Sequence, residues 1–298
     1  MTTTAEDVAA FATPADVAAR LEAVGYLSDP SIATVAFLAD RLGKPILVEG
    51  PAGVGKTELA KAIASAKGAR LLRLQCYEGL DEAKALYEWN YAKQLLRIQA
   101  DASSPRRWEA THDDIFSAEY LLSRPLLDAI TTEAATVLLI DEVDKVDFEF
   151  EALLLEVLSD FQVTVPEMGT VTAVRRPYVV LTSNDTRELS EALKRRCLYL
   201  HMDYPDLERE RAIVLARVPE VADALADQLV GIVRSLRRLE LKKAPSISET
   251  LDWARTLLEL GYDGIDEGVV RATITVLLKH QSDVERALAH LGAGGTHR

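Results

Sequence analysis

Cysteine is scarce in this sequence: two in 298 residues, Cys76 and Cys197, each inside an apolar, strand-like run. No metal-ligand spacing involves either, so the expectation is a pair of buried, reduced thiols. Positive charge is also in deficit, with 34 Lys and Arg against 47 Asp and Glu and a formal net charge of −13. Binding along a nucleic acid needs clustered cations, so a broad nucleic-acid surface is not expected; a small basic strip inside a ring stays compatible with that balance. Long apolar runs are missing as well. None approaches the roughly 18 residues of a membrane span. Residues 1–20 carry Glu6, Asp7 and Asp16 and lack the continuous apolar centre of a signal peptide. A soluble, cytoplasmic chain is expected. The histidines His112, His201, His280, His290 and His297 show no ligand spacing, and His201 is read as structural. Trp89, Trp108 and Trp253 are read as packing residues. Internal repeats and low-complexity tracts are absent from the sequence.

What remains is ordinary globular composition, 48% hydrophobic and 27% charged, long enough for a large α/β domain and a smaller one. Up to about residue 204, two kinds of segment alternate. Short β-branched or Leu-rich runs read as buried parallel strands: Pro45–Glu49, Arg70–Cys76, Thr136–Asp141, Tyr178–Ser183 and Leu198–Met202. Between them, Lys56–Lys67 and Phe148–Phe161 carry apolar residues at helical spacing. Strands alternating with helices predict a parallel five-stranded sheet covered on both faces. Gln162–Val165 and Thr170–Val174 alternate with period two around Pro166–Gly169, which predicts a β-hairpin inserted before the fourth strand. After Tyr204-Pro205-Asp206 the strand signals stop. Helices are expected around Leu207–Ala216, Val221–Leu239, Ser248–Leu260 and Glu267–Leu278, as a second, all-helical domain over 205–298, with 1–204 as the α/β core. The Gly292-Ala293-Gly294-Gly295 tail is expected to fray.

Four motifs carry chemistry. Gly50-Pro51-Ala52-Gly53-Val54-Gly55-Lys56-Thr57 matches G-x-x-x-x-G-K-[ST], after an apolar strand and before an Ala- and Leu-rich helix. Its glycines let the backbone wrap phosphate, and N–H groups at the helix N-terminus face the anion. Lys56 places a cation on the β- and γ-phosphates, and the Thr57 hydroxyl is a Mg²⁺ ligand. These loop residues, with Glu58 after them, are the candidate nucleotide contacts. Val137-Leu138-Leu139-Ile140-Asp141-Glu142 is an apolar strand ending in two carboxylates, at the sheet edge where α/β ligands bind. Asp141 is the candidate Mg²⁺ ligand and Glu142 the residue that polarises water; Asp144 and Lys145 read as local polar contacts. The strand ending Thr182-Ser183-Asn184 places the Asn184 amide as a candidate between γ-phosphate and water. Ala192-Leu193-Lys194-Arg195-Arg196-Cys197 offers adjacent arginines, either as a finger for a neighbouring subunit's γ-phosphate or as a solvated helix end. Arg196 is favoured over Arg195, and Arg175 and Arg176, a second basic pair, are next in line for the finger.

In this order, followed by an all-helical lid, the four motifs resemble the AAA+ superfamily of P-loop ATPases. The room between Lys56 and Asp141 and the hairpin before Asn184 resemble its group with a helix-2 insert and pre-sensor hairpin. Within that group the chain is similar to the MoxR family over Val48–Ala60, Leu74–Asp81, Ser123–Thr131, Asp141–Val165 and Val179–Arg196. Leu74-Gln75-Cys76-Tyr77-Glu78-Gly79-Leu80-Asp81 and Glu88-Trp89-Asn90 resemble its CoxD-like branch. The resemblance implies an ATP-driven hexameric chaperone with Mg-ATP between core and lid. It further implies a von Willebrand factor A domain partner and a metalloenzyme client of the carbon monoxide dehydrogenase or molybdenum hydroxylase type. The family's Ser-Pro-Arg lid arginine has no counterpart, since the matching region reads Lys243-Ala244-Pro245-Ser246-Ile247-Ser248-Glu249. Two rivals differ in class. A nucleic-acid motor, helicase or restriction translocase would need the basic or aromatic stacking face that is lacking here. Against a non-motor nucleotide switch, whose hydrolysis depends on an external activator, stand the paired Glu142 and Asn184.

Overall fold

A computed structural model describes residues 10–101, 114–166 and 168–294; Trp108, His112, His297 and residues 1–9 lie outside these. The apolar runs form a five-stranded sheet in the order Arg70–Gln75, Thr136–Asp141, Tyr178–Ser183, Ile46–Glu49, Leu198–His201. The strands are β1 (Ile46–Glu49), β2 (Arg70–Gln75), β5 (Thr136–Asp141), β8 (Tyr178–Ser183) and β9 (Leu198–His201). Every pairing is parallel: Ile140 sits beside Leu74 and Leu181, and Ile46 beside Val180 and Leu198. Central strands β1 and β5 are buried along their whole length, as unbroken apolar runs require, whereas edge strands β2 and β9 alternate. An α/β fold with a parallel five-stranded sheet is therefore what the chain adopts.

Because the strands run one way, Gln75, Asp141, Ser183 and Glu49 end at one sheet edge, and Arg70, Thr136, Tyr178 and Ile46 begin at the other. Helix Lys56–Lys67 starts directly after the β1 turn and runs back towards the start of β2. Two additions leave this frame. Between β2 and β5 lie helices Glu82–Ala85 and Tyr91–Asp101 and the small antiparallel pair β3 (Tyr87–Trp89) and β4 (Leu121–Ser123). Trp89 is buried there, edge-on to Phe116 at 5.1 Å. The predicted hairpin is β6 (Gln162–Val165) with β7 (Gly169–Thr172).

The chain divides into two compact units, Met1–Glu49 with Thr57–His201, and Gly50–Lys56 with Met202–Arg298. The second unit is built on helices Leu207–Arg217, Asp223–Arg237, Ile247–Glu259, Glu267–Thr273 and Gln281–Gly294. Apolar residues at helical spacing, such as Leu225, Leu229, Val233 and Leu236, pack with Trp253 and Leu257 into its core. The Trp253 indole N–H donates to the Thr273 hydroxyl at 2.8 Å, so the ring is buried without an orphaned donor. Beside it, the Arg237 guanidinium grips Glu210 with two 2.7 Å bonds, the two side chains 9% and 0% exposed. Removing one partner of such a pair costs about 3–5 kcal/mol, because the other charge is left buried alone. The last helix continues through Gly292-Ala293-Gly294, where fraying was expected. His201, read as structural, is exposed at the end of β9. No helix among the described residues is long and apolar enough to cross a membrane.

Candidate functional site

The loop Gly50–Gly55 leaves the end of β1 and turns into the helix opened by Lys56. Two of its glycines are required by close approach. At Gly50 (φ +150°) a Cβ would fall 1.8 Å from the Met202 carbonyl oxygen. At Gly53 (φ +76°) it would fall 2.3 Å from the Ser246 Cβ. The Gly53 carbonyl accepts from the Ile247 N–H at 3.2 Å, next to the Ser246 N-cap and its capping box with Glu249. Lys56 is buried, and its ammonium donates to the Gly50 and Pro51 carbonyls at 2.6 and 2.7 Å. The loop thus holds a cation inside its own curve. Val54 is buried, Ala52 is exposed, and the Glu58 carboxylate turns along the helix to Lys61 at 2.6 Å.

In the first unit, the carboxylates at the end of β5 are the centre of a hydrogen-bonded cluster. The Thr57 hydroxyl donates to Asp141 Oδ1 at 3.0 Å, and the Thr182 hydroxyl donates to the same oxygen at 2.5 Å. The other oxygen, Oδ2, accepts from Arg73 Nη2 at 2.6 Å and Nε at 3.0 Å. Glu142 follows with a left-handed backbone, φ 60° and ψ 49°, which a non-glycine residue adopts only when its surroundings impose it. Here the Glu142 N–H donates to Thr182 Oγ1 at 2.9 Å, fixing the turn. Its carboxylate accepts from Gln75 Nε2 at 2.9 Å, Asn184 Nδ2 at 3.3 Å and Lys145 Nζ at 2.5 Å. The structure therefore brings Thr57, at the start of a helix, together with Asp141, Glu142 and Asn184 from the ends of two strands.

Asp144 and Lys145 are the local contacts the sequence predicts, and each has a definite partner. Asp144 accepts from the Asn184 and Thr186 N–H groups at 3.2 Å and from the Thr186 hydroxyl at 2.5 Å. Burial raises its pKa, but those bonds outweigh it and hold the carboxyl below its ordinary range. The Glu142 carboxylate raises Lys145 above its ordinary value. Cys76, at the end of β2, is pushed up to about 12 by burial, with the Asp141, Asp144 and Glu142 charges adding to it. Cys197 reaches about 12 through burial. Both are free thiols, Cys76 buried and Cys197 only partly so, and the raised pKa favours the protonated, less nucleophilic form of each.

Arg195 and Arg196 lie apart from this cluster, on helix Glu191–Arg196, whose chain continues into the start of β9. Arg196 donates from Nε to Ser159 Oγ at 2.6 Å and from Nη1 to the Ala192 carbonyl at 3.1 Å. Arg195 is 81% exposed, 4.0 Å from Glu191. The opposite end of this helix is tied to the same neighbour, helix Phe148–Asp160. Buried Glu151 accepts from Arg187 Nη2 at 2.6 Å and from the Ser190 N–H at 2.9 Å.

Arg73, Gln75 and Thr182 are the cluster members that sequence reasoning misses. The available signal was the polar pair at alternate positions in β2, Arg73 and Gln75, on one face beside a carboxylate-ended strand.

A P-loop that closes on its own lysine, followed by paired carboxylates at the carboxyl edge of a parallel sheet, defines a P-loop nucleotide-binding protein. The model of the AAA domain, dynein-related subfamily, matches residues 45–197, just over half of the sequence, and the chain belongs to that family. Protein SH1500 of Staphylococcus haemolyticus (strain JCSC1435) is 26% identical over 240 residues, covering 78% of this chain and 82% of that protein. Protein SAB1265c of Staphylococcus aureus (strain bovine RF122 / ET3-1) is 28% identical over 226 residues, covering 74% and 77%. Both bear the name uncharacterized protein. Among solved structures, a Thermotoga maritima RuvB mutant aligns over 92% of this chain and 73% of its own, at 18% identity and a TM-score of 0.49. The Thermotoga maritima RuvB Holliday junction branch migration motor aligns over 83% and 67%, at 19% identity and a TM-score of 0.46.

Proposed function

We propose that this chain hydrolyses ATP as a ring-forming chaperone of the MoxR type, in its CoxD-like branch. The observation that carries the catalytic part is the Glu142 carboxylate, held by Gln75 and Asn184 next to the Thr57–Asp141 pair. A carboxylate oriented by amide donors at the sheet's ligand edge is suited to take a proton from an attacking water. The Asn184 amide, itself anchored through its backbone to Asp144, orients that water and the phosphate oxygens. Lys56 supplies the fixed cation for the β- and γ-phosphates, and the N–H groups of Gly53 to Glu58 face the anion. The Thr57 hydroxyl and the Asp141 carboxylate are hard oxygen donors 3.0 Å apart and fit Mg²⁺. When bound, Mg²⁺ neutralises charge on the phosphate oxygens.

Arg196, away from the chain's own carboxylates, is assigned to the γ-phosphate of a neighbouring copy, which makes the ring part of the mechanism. The hexameric state, a von Willebrand factor A domain partner and a metalloenzyme client rest on the resemblance of Leu74–Asp81, Glu88–Asn90 and the motif order to the MoxR family.

The test is calorimetric ATP titration together with phosphate release, each with and without duplex DNA. Glu142→Gln is expected to bind ATP like the wild type and to lose about 10²-fold or more in turnover. Lys56→Ala is expected to lose ATP binding. Undiminished turnover in Glu142→Gln removes the role given to it, and strong stimulation by DNA would transfer the reading to a nucleic-acid motor.

A further inference from the structure

The opposite edge of the sheet carries charges that the proposed hydrolysis leaves unused. The residues that lead into β1, β2, β5 and β8 line a cleft of about 510 Å³, together with the C-terminal ends of helices Pro30–Leu42 and Lys56–Lys67. That volume lies within the range of roughly 300–1,000 Å³ typical of small-ligand sites. In a chain of net charge −13 its lining is cationic, with Arg41, Lys44, Lys67, Arg175 and Arg176. The one acid in the lining, Asp40, is already occupied: it accepts from Lys67 and from the Phe11 N–H, each at 2.8 Å.

Arg41 and Arg176 are each held against an aromatic ring and not by a carboxylate. Arg41 lies over the Phe37 ring at 6.0 Å and Arg176 over the Phe161 ring at 5.5 Å. Such stacking fixes the plane of a guanidinium and leaves its N–H edge available. Among the described residues Arg41, Lys44 and Arg176 form no ion pair. Attraction to helix C-termini accounts for Arg41 and Lys67. Lys44, whose N–H closes the end of helix Pro30–Leu42 on the Ala39 carbonyl, shares that site, but Arg175 and Arg176, which precede a strand, do not.

We propose that this cleft binds an oligophosphate anion, a small ligand with two or more linked phosphates. Several cations converging from separate segments, Arg41 and Arg176 among them stacked on rings, suit charges packed closely on one molecule. Guanidinium forks match phosphate oxygens two at a time. A concave wall suits a compact ligand better than an extended chain. Free oligophosphate and the phosphate chain of a nucleotide share this chemistry.

The experiment uses the full chain carrying Lys56→Ala, so that the P-loop cation is gone, and titrates it calorimetrically with tripolyphosphate, ATP and polyglutamate. The same titrations follow with Arg41→Glu and Lys44→Glu added, both at exposed positions. Saturable tripolyphosphate binding is expected, weakened about tenfold or more by the two reversals, as loss of charged hydrogen bonds implies. Arg176→Ala, which reverses no charge, should weaken it in the same direction with the circular dichroism unchanged. ATP binding as tightly as tripolyphosphate supports a nucleotide source, and tripolyphosphate alone supports free oligophosphate. The proposal is overturned by no tripolyphosphate binding at millimolar concentration, by binding indifferent to the reversals, or by preference for polyglutamate. ATP turnover with Lys56 intact reports on the P-loop reading separately, so the two can fail apart.

Discussion

At the carboxyl edge of the sheet the charged groups answer one another: Asp141 meets Arg73, Glu142 meets Lys145, and Asp144 is wrapped by two N–H groups and a hydroxyl. At the amino edge, Arg41, Lys44 and Arg176 surround a cleft without a carboxylate of their own among the described residues. Both edges belong to the same five strands, so the difference does not come from the fold. Under the functions proposed for the two edges, it reflects what the side chains are asked to do. A catalytic group gains from dipoles arranged before the reaction starts, since no reorganisation is then required in the transition state. A binding cleft for an anion gains from cations whose partner arrives with the ligand. The left-handed Glu142 backbone belongs with the first demand, because its strain is held by the Thr182 hydroxyl and not relieved.

The largest expected effect would break this division of labour. Arg196 sits on the helix that leads to the amino edge, yet it is assigned to chemistry in another copy. Arg196→Ala should bind ATP almost normally and hydrolyse it slower by roughly 10³–10⁵-fold, the loss typical of a missing arginine finger. Mixing it with Glu142→Gln subunits should restore phosphate release above either variant alone. If mixing restores nothing while Arg195→Ala shows this behaviour, the neighbour is the finger.

A smaller effect sharpens the picture of the carboxyl edge. Asp144→Asn leaves the shape intact but weakens the bonds that hold Asn184 and Thr186, and should cost about 1–3 kcal/mol of stability at neutral pH. The folded-state pKa of Asp144 is depressed, so its contribution is present above the ordinary value of 3.8 and lost as pH falls through the folded value. Denaturant curves of wild type and variant should therefore converge below about pH 4. A gap that stays constant from pH 7 to strongly acid conditions would mean the carboxylate charge plays no part.

The smallest expected effect is none. Arg41→Glu with Lys44→Glu should leave steady-state ATP turnover within about twofold of wild type, well under 1 kcal/mol of barrier. A larger loss would show that the amino edge takes part in hydrolysis and that the two edges are not separate in function.

Much of this was legible in the residues. The five strands of the main sheet announce themselves as apolar runs, and the hairpin as two alternating stretches around Pro166. The P-loop and the Asp141-Glu142 pair combine a local pattern with a strand context, which is why they stand out. Arg73 and Gln75 do not, because their partners are chosen by β2 lying beside β5, a fact of tertiary order that no local spacing carries. Asp144 reads as polar but not as the anchor of Asn184, since the two meet only across the β5–β8 pairing. The short strands β3 and β4 are three residues each, too brief for a period to register. The amino-edge cleft was invisible for the same reason: its cations are scattered along the chain and converge only when the sheet forms.

Helix Phe148–Asp160 gives the molecule a mechanical property beyond its packing. It starts at Phe148, with Asp147 as its N-cap, shortly after the 3₁₀ turn Val143–Lys145 that Glu142 precedes. It grips the arginine helix at both ends, through Glu151 to Arg187 and Ser190, and through Ser159 to Arg196. A strut fastened at two points cannot let one fastening slide without loading the other. If the turn shifts when the carboxylate changes partner, these two fastenings would offer a path for that load to reach Arg196. In a closed ring, such a linkage would put the state of one pocket in phase with the cation that same subunit offers to the next.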